Sequence, residues 1–394
     1  MRGVTDPVPQ TADPEPGAKR ALEAVLRERI AREGPLSLAE VMRVALYDPE
    51  HGYYSRLRGF GAEGDYVTSP ELHPVFGYLL ARPAMDVWAA LGQPNPLRLL
   101  EIGAGTGALA RALLDAVSCD VRYSIDERSR SLRARQQSVL AGYPVSWEAP
   151  RLPAHLVIAN EVLDAQPVHR VSVRNGELRE LRVGPELRWV ETEASAELRA
   201  YFDRLAVRPP EGGVAEVNLD LAGWVRQTAR HMATRPGSLL IVLDYGYPAE
   251  DMFAARPQGT LLTYYRHTLG SDPLVRLGEQ DISAHVDFTT LASSARAAGL
   301  NVLGVTSQRA LLRNLGIEGV RRQMRSPADQ QALAQLVDPD GLGRIGVLFM
   351  ARGLPGYQPV GLVGREWPDP QAVPTLDASD DFLVQWREAF ALES

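Results

Sequence analysis

The stretch Leu97-Arg-Leu-Leu-Glu-Ile-Gly-Ala-Gly-Thr-Gly-Ala-Leu-Ala110 constrains this chain more than any other. Leu99, Leu100 and Ile102 supply a short apolar strand that breaks at Gly103, Gly105 and Gly107, where the backbone can turn with positive φ and come close to a ligand. A helix is predicted to begin near Ala108, which gives the first strand-turn-helix unit of a doubly wound α/β sheet. The glycines run G-x-G-x-G with Ala108 in the sixth place, a poor match to the dinucleotide pattern G-x-G-x-x-G. Glu101, one residue before the end of the strand, would repel a pyrophosphate and suits a cationic, phosphate-free ligand such as S-adenosylmethionine (SAM). About 20 residues further on, a Rossmann-type ribose wants a carboxylate at the end of the second strand. Val121-Arg-Tyr-Ser-Ile-Asp-Glu127 supplies Glu127, with Asp126 as the register-shifted alternative.

Length and composition narrow the class. A chain of 394 residues, 45% hydrophobic, can fill one large core with insertions or two smaller ones. A net charge of -7 gives no support to a nucleic-acid-binding surface, although Lys19 is the only lysine and the positive charge is nearly all arginine. Cys119 stands alone, which rules out an intramolecular disulfide and a cysteine-based zinc cluster, and no metal site is expected. No apolar run approaches a membrane span, and the Pro-rich, acidic segment Met1 to Gly17 reads as disordered rather than as a targeting peptide. The expected compartment is a bacterial cytoplasm.

Taken in order, helical spacing predicts Ala21 to Arg32, then Ser37 to Leu46 with a capping box from Ser37 to Glu40. Tyr47-Asp-Pro-Glu-His-Gly-Tyr-Tyr-Ser55 and Gly59, Gly61 and Gly64 read as a loop that closes over a flat ligand. A helix from His73 to Leu91 follows, with Ser69 as N-cap and Pro70 as first helical residue. The strand Leu156 to Ala159 runs into Asn160-Glu-Val-Leu-Asp-Ala-Gln-Pro167, which places Asn160, Glu161 and Asp164 at a strand's carboxyl end. Asn175-Gly176 marks a hairpin in an antiparallel insertion. Helices at Ala194 to Leu205 and Leu219 to Thr234 precede the strand Ser238 to Gly246. Tyr247 to His285 reads as largely irregular, and loops of that length in a compact domain are usually functional. Strands Asn301 to Thr306 and Gly343 to Met350, with helical Gln308 to Leu315 and Asp329 to Val337 between them, complete the sheet; a tail ends in a helix Asp380 to Ala391.

Five ordered motifs together resemble the MidA family of class I SAM-dependent methyltransferases, the group of the mitochondrial complex I assembly factor 7. They are Gly64-Asp-Tyr-Val-Thr-Ser-Pro-Glu71, Leu100-Glu-Ile-Gly-Ala-Gly-Thr-Gly107, Asn160-Glu-Val-Leu-Asp-Ala-Gln-Pro-Val168, Asp244-Tyr-Gly-Tyr247 and Gly278-Glu-Gln-Asp-Ile-Ser-Ala-His-Val-Asp-Phe288. The resemblance covers roughly Leu22 to Ala351. It implies a Rossmann-like α/β fold with a seven-stranded, mostly parallel sheet, a helical N-terminal region and inserted substrate-binding segments. The expected division is 1–20 disordered, 21–95 helical region and lid, 96–352 methyltransferase core with insertions at about 168–235 and 247–287, and 353–394 tail. Implied cofactor ligands are Thr68, Glu101, Gly103, Gly105, Gly107, Glu127 and Asn160. For the mitochondrial member the acceptor is an arginine of a respiratory complex I subunit, so a protein substrate is implied, and a homodimer is one assembly open to the chain.

Methyl transfer is an in-line displacement that needs alignment and exclusion of water more than covalent help. A guanidinium acceptor suits paired carboxylates, which hold it bidentately and leave electron density on the reacting nitrogen. Glu161 and Asp164 are the first candidates, with Glu279, Asp281 and Asp287 as a second wall and His285 as a late proton acceptor or an orienter of a carboxylate. Tyr53, Tyr54 and Tyr66 could stack on the ligand or pack the lid. The competing readings are a non-catalytic scaffold that keeps the fold and a nicotinamide-dependent oxidoreductase, the latter disfavoured by the glycine spacing.

Overall fold

Seven strands build the central sheet: β1 (Leu97–Ile102), β2 (Val121–Asp126), β3 (Val145–Ser146), β4 (Leu156–Asn160), β5 (Ser238–Asp244), β6 (Asn301–Ser307) and β7 (Gly346–Arg352). This computed structural model describes residues 17–56, 67–148, 150, 152–362, 365–366 and 369–370. The spatial order is β6-β7-β5-β4-β1-β2-β3. Neighbours from β5 through β3 run parallel, whereas β7 is antiparallel to both β5 and β6, so the sheet is mixed. β4 and β5 are buried along their whole length, which is why both read as unbroken apolar runs. Their alternate residues feed two cores. Ile158 and Ile241 pack in the cluster that holds Leu109 and Leu113, while Val157 and Val242 pack in the one that holds Val225 and Leu291.

Chain order and sheet order reverse between β1 and β4: β1 leads outward to β2 and β3, and β4 leads the other way to β5. A crevice outside the carboxyl ends of strands at such a reversal is where open α/β sheets take their ligands.

The N-terminal part starts with the helix Gly17–Glu33, longer than its apolar spacing predicts, and continues with Leu38–Tyr47, whose capping box forms as expected. The Ser37 hydroxyl accepts from the Glu40 amide at 3.3 Å, and the Glu40 carboxylate accepts from the Ser37 amide at 2.9 Å. Leu36–Ser37 pairs with Arg182 and Val183 and so joins an antiparallel sheet made otherwise of His169–Arg174, Glu177–Gly184, Arg188–Glu193 and Val214–Val217. The hairpin turn in it has Asn175 at φ 54° and Gly176 at φ 75°, the left-handed pair that an Asn-Gly turn requires.

Three expectations are corrected. The helix predicted from His73 to Leu91 is split into Ser69–Leu72 and Val75–Ala90, because His73 precedes Pro74 and is held extended at φ -160°. Thr68, not Ser69, is the N-cap; Ser69 lies one residue inside and its buried hydroxyl donates to Gln308 Oε1 at 2.9 Å. The segment expected to be irregular contains a three-stranded sheet, with Leu262–Tyr265 between Thr268–Gly270 and Asp281–Ser283. Gly59, Gly61, Gly64, Tyr66 and the helix predicted over Asp380 to Ala391 lie outside the described residues, as do residues 1–16.

Candidate active site

A cavity of about 790 Å³ opens at the carboxyl ends of β1, β2 and β4. Thr68, Glu101, Gly103, Gly105, Glu127, Asn160 and Glu161 all stand in its wall. At Gly103 (φ +68°) a Cβ would come within 2.9 Å of Val162 Cγ2, so only glycine fits there without a shift. Gly107 is not in the wall; it is the left-handed residue that starts the helix Ala108–Ala116. Glu101 is buried and accepts from the Tyr123 hydroxyl at 2.8 Å. Desolvation pushes its carboxyl up to about 7 against the effect of that bond. Glu127 is buried too, raised by desolvation, and accepts from the Ser129 amide at 2.8 Å and from Gln136 Nε2 at 2.9 Å. Asp126 also borders the cavity but is exposed.

Gln136 ties this half together. Its Nε2 donates to the Gly105 carbonyl at 2.8 Å as well as to Glu127, while its Oε1 accepts from Trp147 Nε1 at 2.8 Å. The residue is fully buried on the helix Arg130–Val139, one turn after buried Leu132. The motifs do not include it; an amide in helical register with a buried leucine is the signal that could have found it.

On the far side of the crevice the chain leaves β4 through a strained turn. Glu161 has φ 52°, a conformation that costs a non-glycine residue free energy and persists only when its surroundings fix it. Asp244, at the end of β5, does so: its Oδ2 accepts from the amides of Val162 at 3.1 Å and Leu163 at 2.7 Å. The Glu161 carboxylate in turn accepts from the Ser69 amide at 3.3 Å and Asn160 Nδ2 at 3.0 Å. The other end of that amide, Asn160 Oδ1, is buried without a hydrogen-bond partner.

Carboxylates crowd behind this turn. Desolvation, then the charge of Asp164, raises Glu161 to about 8. Asp164 is held well above the usual carboxylate range by desolvation and by the charges of Asp244 and Asp281. Asp244, raised mainly by burial, lies at about 7. Asp281 arrives from the small sheet, where it pairs with Tyr264, and accepts from the Tyr54 hydroxyl at 2.6 Å. Tyr54 also reaches back toward the cofactor half, since its carbonyl accepts from the Ser129 hydroxyl at 2.6 Å. Asp164 and Asp281 are not in the cavity wall themselves; Tyr47, Tyr54 and Glu161 are.

Other predicted residues lie elsewhere. Glu279 is half-buried and does not line the cavity. Asp287 caps the helix Phe288–Ala297, accepting from the amides of Thr289 and Thr290 and from the Tyr201 hydroxyl at 2.5 Å. His285 meets no carboxylate among the described residues: its ring lies against Tyr245 and Tyr247, and burial with the nearby charges of Arg256 and Arg344 lowers it to about 4. Tyr53 is buried in the N-terminal core rather than on the cavity. The bond between Tyr54 and Asp281 is announced by no local pattern.

SAM fits this site on three counts. The glycine turn brings bare backbone at Gly103 and Gly105 to the cavity wall, Asn160 Oδ1 is a buried acceptor awaiting a donor, and the acids offer acceptors to an ammonium and a ribose diol without favouring phosphate. A cradle of this kind, at the reversal point of a mixed α/β sheet, defines a SAM-dependent methyltransferase. The chain belongs to the family described as "Putative S-adenosyl-L-methionine-dependent methyltransferase", whose sequence model matches residues 79–306, and the resemblance to the MidA group stands. It is similar to a Burkholderia thailandensis protein crystallised with S-adenosyl-homocysteine, at 33% identity and TM-score 0.78 over 89% of this chain and 97% of that one. It is also similar to "Protein arginine methyltransferase NDUFAF7 homolog, mitochondrial" of Drosophila melanogaster, 27% identical over 85% of this chain and 86% of that protein. The Rattus norvegicus protein arginine methyltransferase NDUFAF7 is 28% identical over 82% of this chain and 80% of its own length. Among the described residues no helix is long and apolar enough to cross a membrane, and no three or more His, Cys, Asp or Glu side chains are arranged so that they could hold a metal ion.

Proposed function

We propose that this methyltransferase acts on the guanidinium of an arginine in a protein substrate. The observation that carries the reading is the crowd of desolvated carboxylates, Glu161, Asp164, Asp244 and Asp281, beside the cofactor cavity. Like charges packed this closely hold protons they would otherwise lose, and an arriving guanidinium replaces those protons with fixed positive charge. The names of the mitochondrial relatives support the same acceptor. A respiratory complex I subunit is the protein to test first.

In this reading Glu127 takes the ribose hydroxyls, Glu101 faces the ammonium, the Gly103 and Gly105 backbone cradles the cofactor, and Thr68 and Asn160 close its sides. Gly107 serves by starting the helix behind the turn. The bound cofactor supplies an electrophilic methyl group. Glu161 and Asp164 grip the guanidinium, and Glu161 takes the proton that the reacting nitrogen gives up. Asp281 orients from behind through Tyr54, while Glu279 and His285 act outside the reacting centre. The seven strands are those of the Rossmann-like class I arrangement.

The test is label transfer from methyl-labelled SAM to arginine-containing proteins and peptides, with lysine-containing controls, followed by mass spectrometry. Methylarginine should form, and Glu161→Gln should lower kcat by about 100-fold while cofactor affinity stays within a few-fold. Cofactor binding without transfer to any arginine would overturn the acceptor assignment and favour the scaffold reading.

A further inference from the structure

Tyr247 is the hub of a cluster of basic side chains that the chemistry above does not use. The Arg256 guanidinium lies 3.3 Å over its ring, Arg344 Nη2 donates to its hydroxyl at 3.0 Å, and the His285 ring stands 5.2 Å away. Arg256 also donates to the Asp251 carbonyl, but among the described residues no carboxylate pairs with Arg256 or Arg344. His285 Nδ1 is buried without a hydrogen-bond partner. Two arginines, one half-buried and one exposed, and an unmet imidazole nitrogen thus surround one phenol with donors and positive charge that an anion would satisfy.

The basic cluster adjoins the carboxylate cluster. Tyr245 stands between them: its ring stacks on His285 at 6.4 Å and 18°, its amide donates to Asp244 Oδ1 at 2.9 Å, and its hydroxyl is raised by burial and then by the charge of Glu161. A negative site and a positive site on either side of one tyrosine match a dipolar segment of peptide, and extended chain advances about 3.3 Å per residue.

We infer that Arg256, Arg344 and His285 form an anion subsite that receives an acidic side chain of the protein substrate, roughly two to four residues from the methylated arginine. This rests on the arginine reading for what fills the neighbouring site. Opposite charges at a fixed spacing then set which arginine of a protein is modified and in which chain direction.

The test uses pairs of ten-residue Gly/Ser peptides carrying one arginine and, at each spacing in turn, either aspartate or asparagine. Affinity is read by fluorescence anisotropy with S-adenosyl-homocysteine present. At one spacing the aspartate peptide should bind about tenfold more tightly than its asparagine partner. Arg344→Gln, a change at an exposed side chain, should remove most of that advantage by weakening the aspartate peptide, and Arg344→Lys should restore part of it. Equal or undetectable binding of both peptides at every spacing, or an advantage that survives in Arg344→Gln and Arg256→Gln together, overturns the inference. Replacing the peptide arginine by lysine separates the two ideas. If the acceptor assignment alone is wrong, the aspartate preference persists while methyl transfer does not follow arginine.

Discussion

The two halves of the crevice both bury acids but differ in how far those acids crowd one another. On the cofactor side Glu101 and Glu127 each have neutral donors, the Tyr123 hydroxyl for one and the Ser129 amide with Gln136 for the other. On the side proposed for the acceptor, Glu161, Asp164 and Asp244 are raised by burial and by one another, and much of their backbone bonding serves to fix a strained turn. The first half is preorganised for a ligand of known shape. The second relieves its repulsion by holding protons, which, on the function proposed above, an arriving cation displaces; above the raised values it costs stability.

The sharpest way to break this contrast is to fill the cradle. Gly103→Arg should abolish detectable binding of SAM, a loss of at least about 100-fold by calorimetry, because the site has a left-handed φ and Val162 directly over it. A milder probe of preorganisation is Gln136→Leu, which nearly keeps the volume and removes the bonds to Gly105 and Glu127. KM for SAM should rise about tenfold with kcat changed less than threefold, as expected for a residue acting through others. The smallest effect concerns the side proposed for the acceptor. Glu161 holds its proton up to about 8, far above the usual carboxylate value, so the folded state binds more protons than the unfolded one between about pH 5 and 8. Stability without ligand should therefore be greatest at the low end of that window and fall as pH rises through it. Glu161→Gln should raise Tm by about 2–4 °C at pH 8 and by little at pH 5 in thermal scans. A uniform shift at both pH values would show that the acids are not in conflict.

Legibility follows the range of the forces involved. The glycine turn, the β4 strand, the Asn175-Gly176 hairpin and the Ser37 cap are set by local sterics and local hydrogen bonds, and all are readable from the sequence. The cap at Thr68 is read one residue late because Thr, Ser and Pro in succession satisfy the cap pattern in either register, and burial of Ser69 against Gln308 decides it. The helices Phe288–Ala297 and Ile317–Gln323 carry weak patterns, the first being rich in Ser, Thr and Ala and the second holding a single buried residue. The carboxylate cluster is half visible: Glu161 and Asp164 share a motif, but Asp281 is fixed by Tyr54, which lies 227 positions from it. His285 belongs to a well-marked motif, yet its neighbours are tyrosines and arginines brought by other segments.

The pairing of Leu36–Ser37 with Arg182 and Val183 has a consequence for synthesis. As the chain leaves the ribosome, the apolar faces of the first two helices, Leu22, Leu26, Val41 and Met42 among them, emerge well before the strand that helps to cover them. At a translation rate of about 5–20 residues per second the delay is on the order of 10–30 s, long against the collapse of a small helical unit. The nascent N-terminus must wait in a sticky state, a natural client for a chaperone, and a pause in translation before residue 184 would lengthen that exposure.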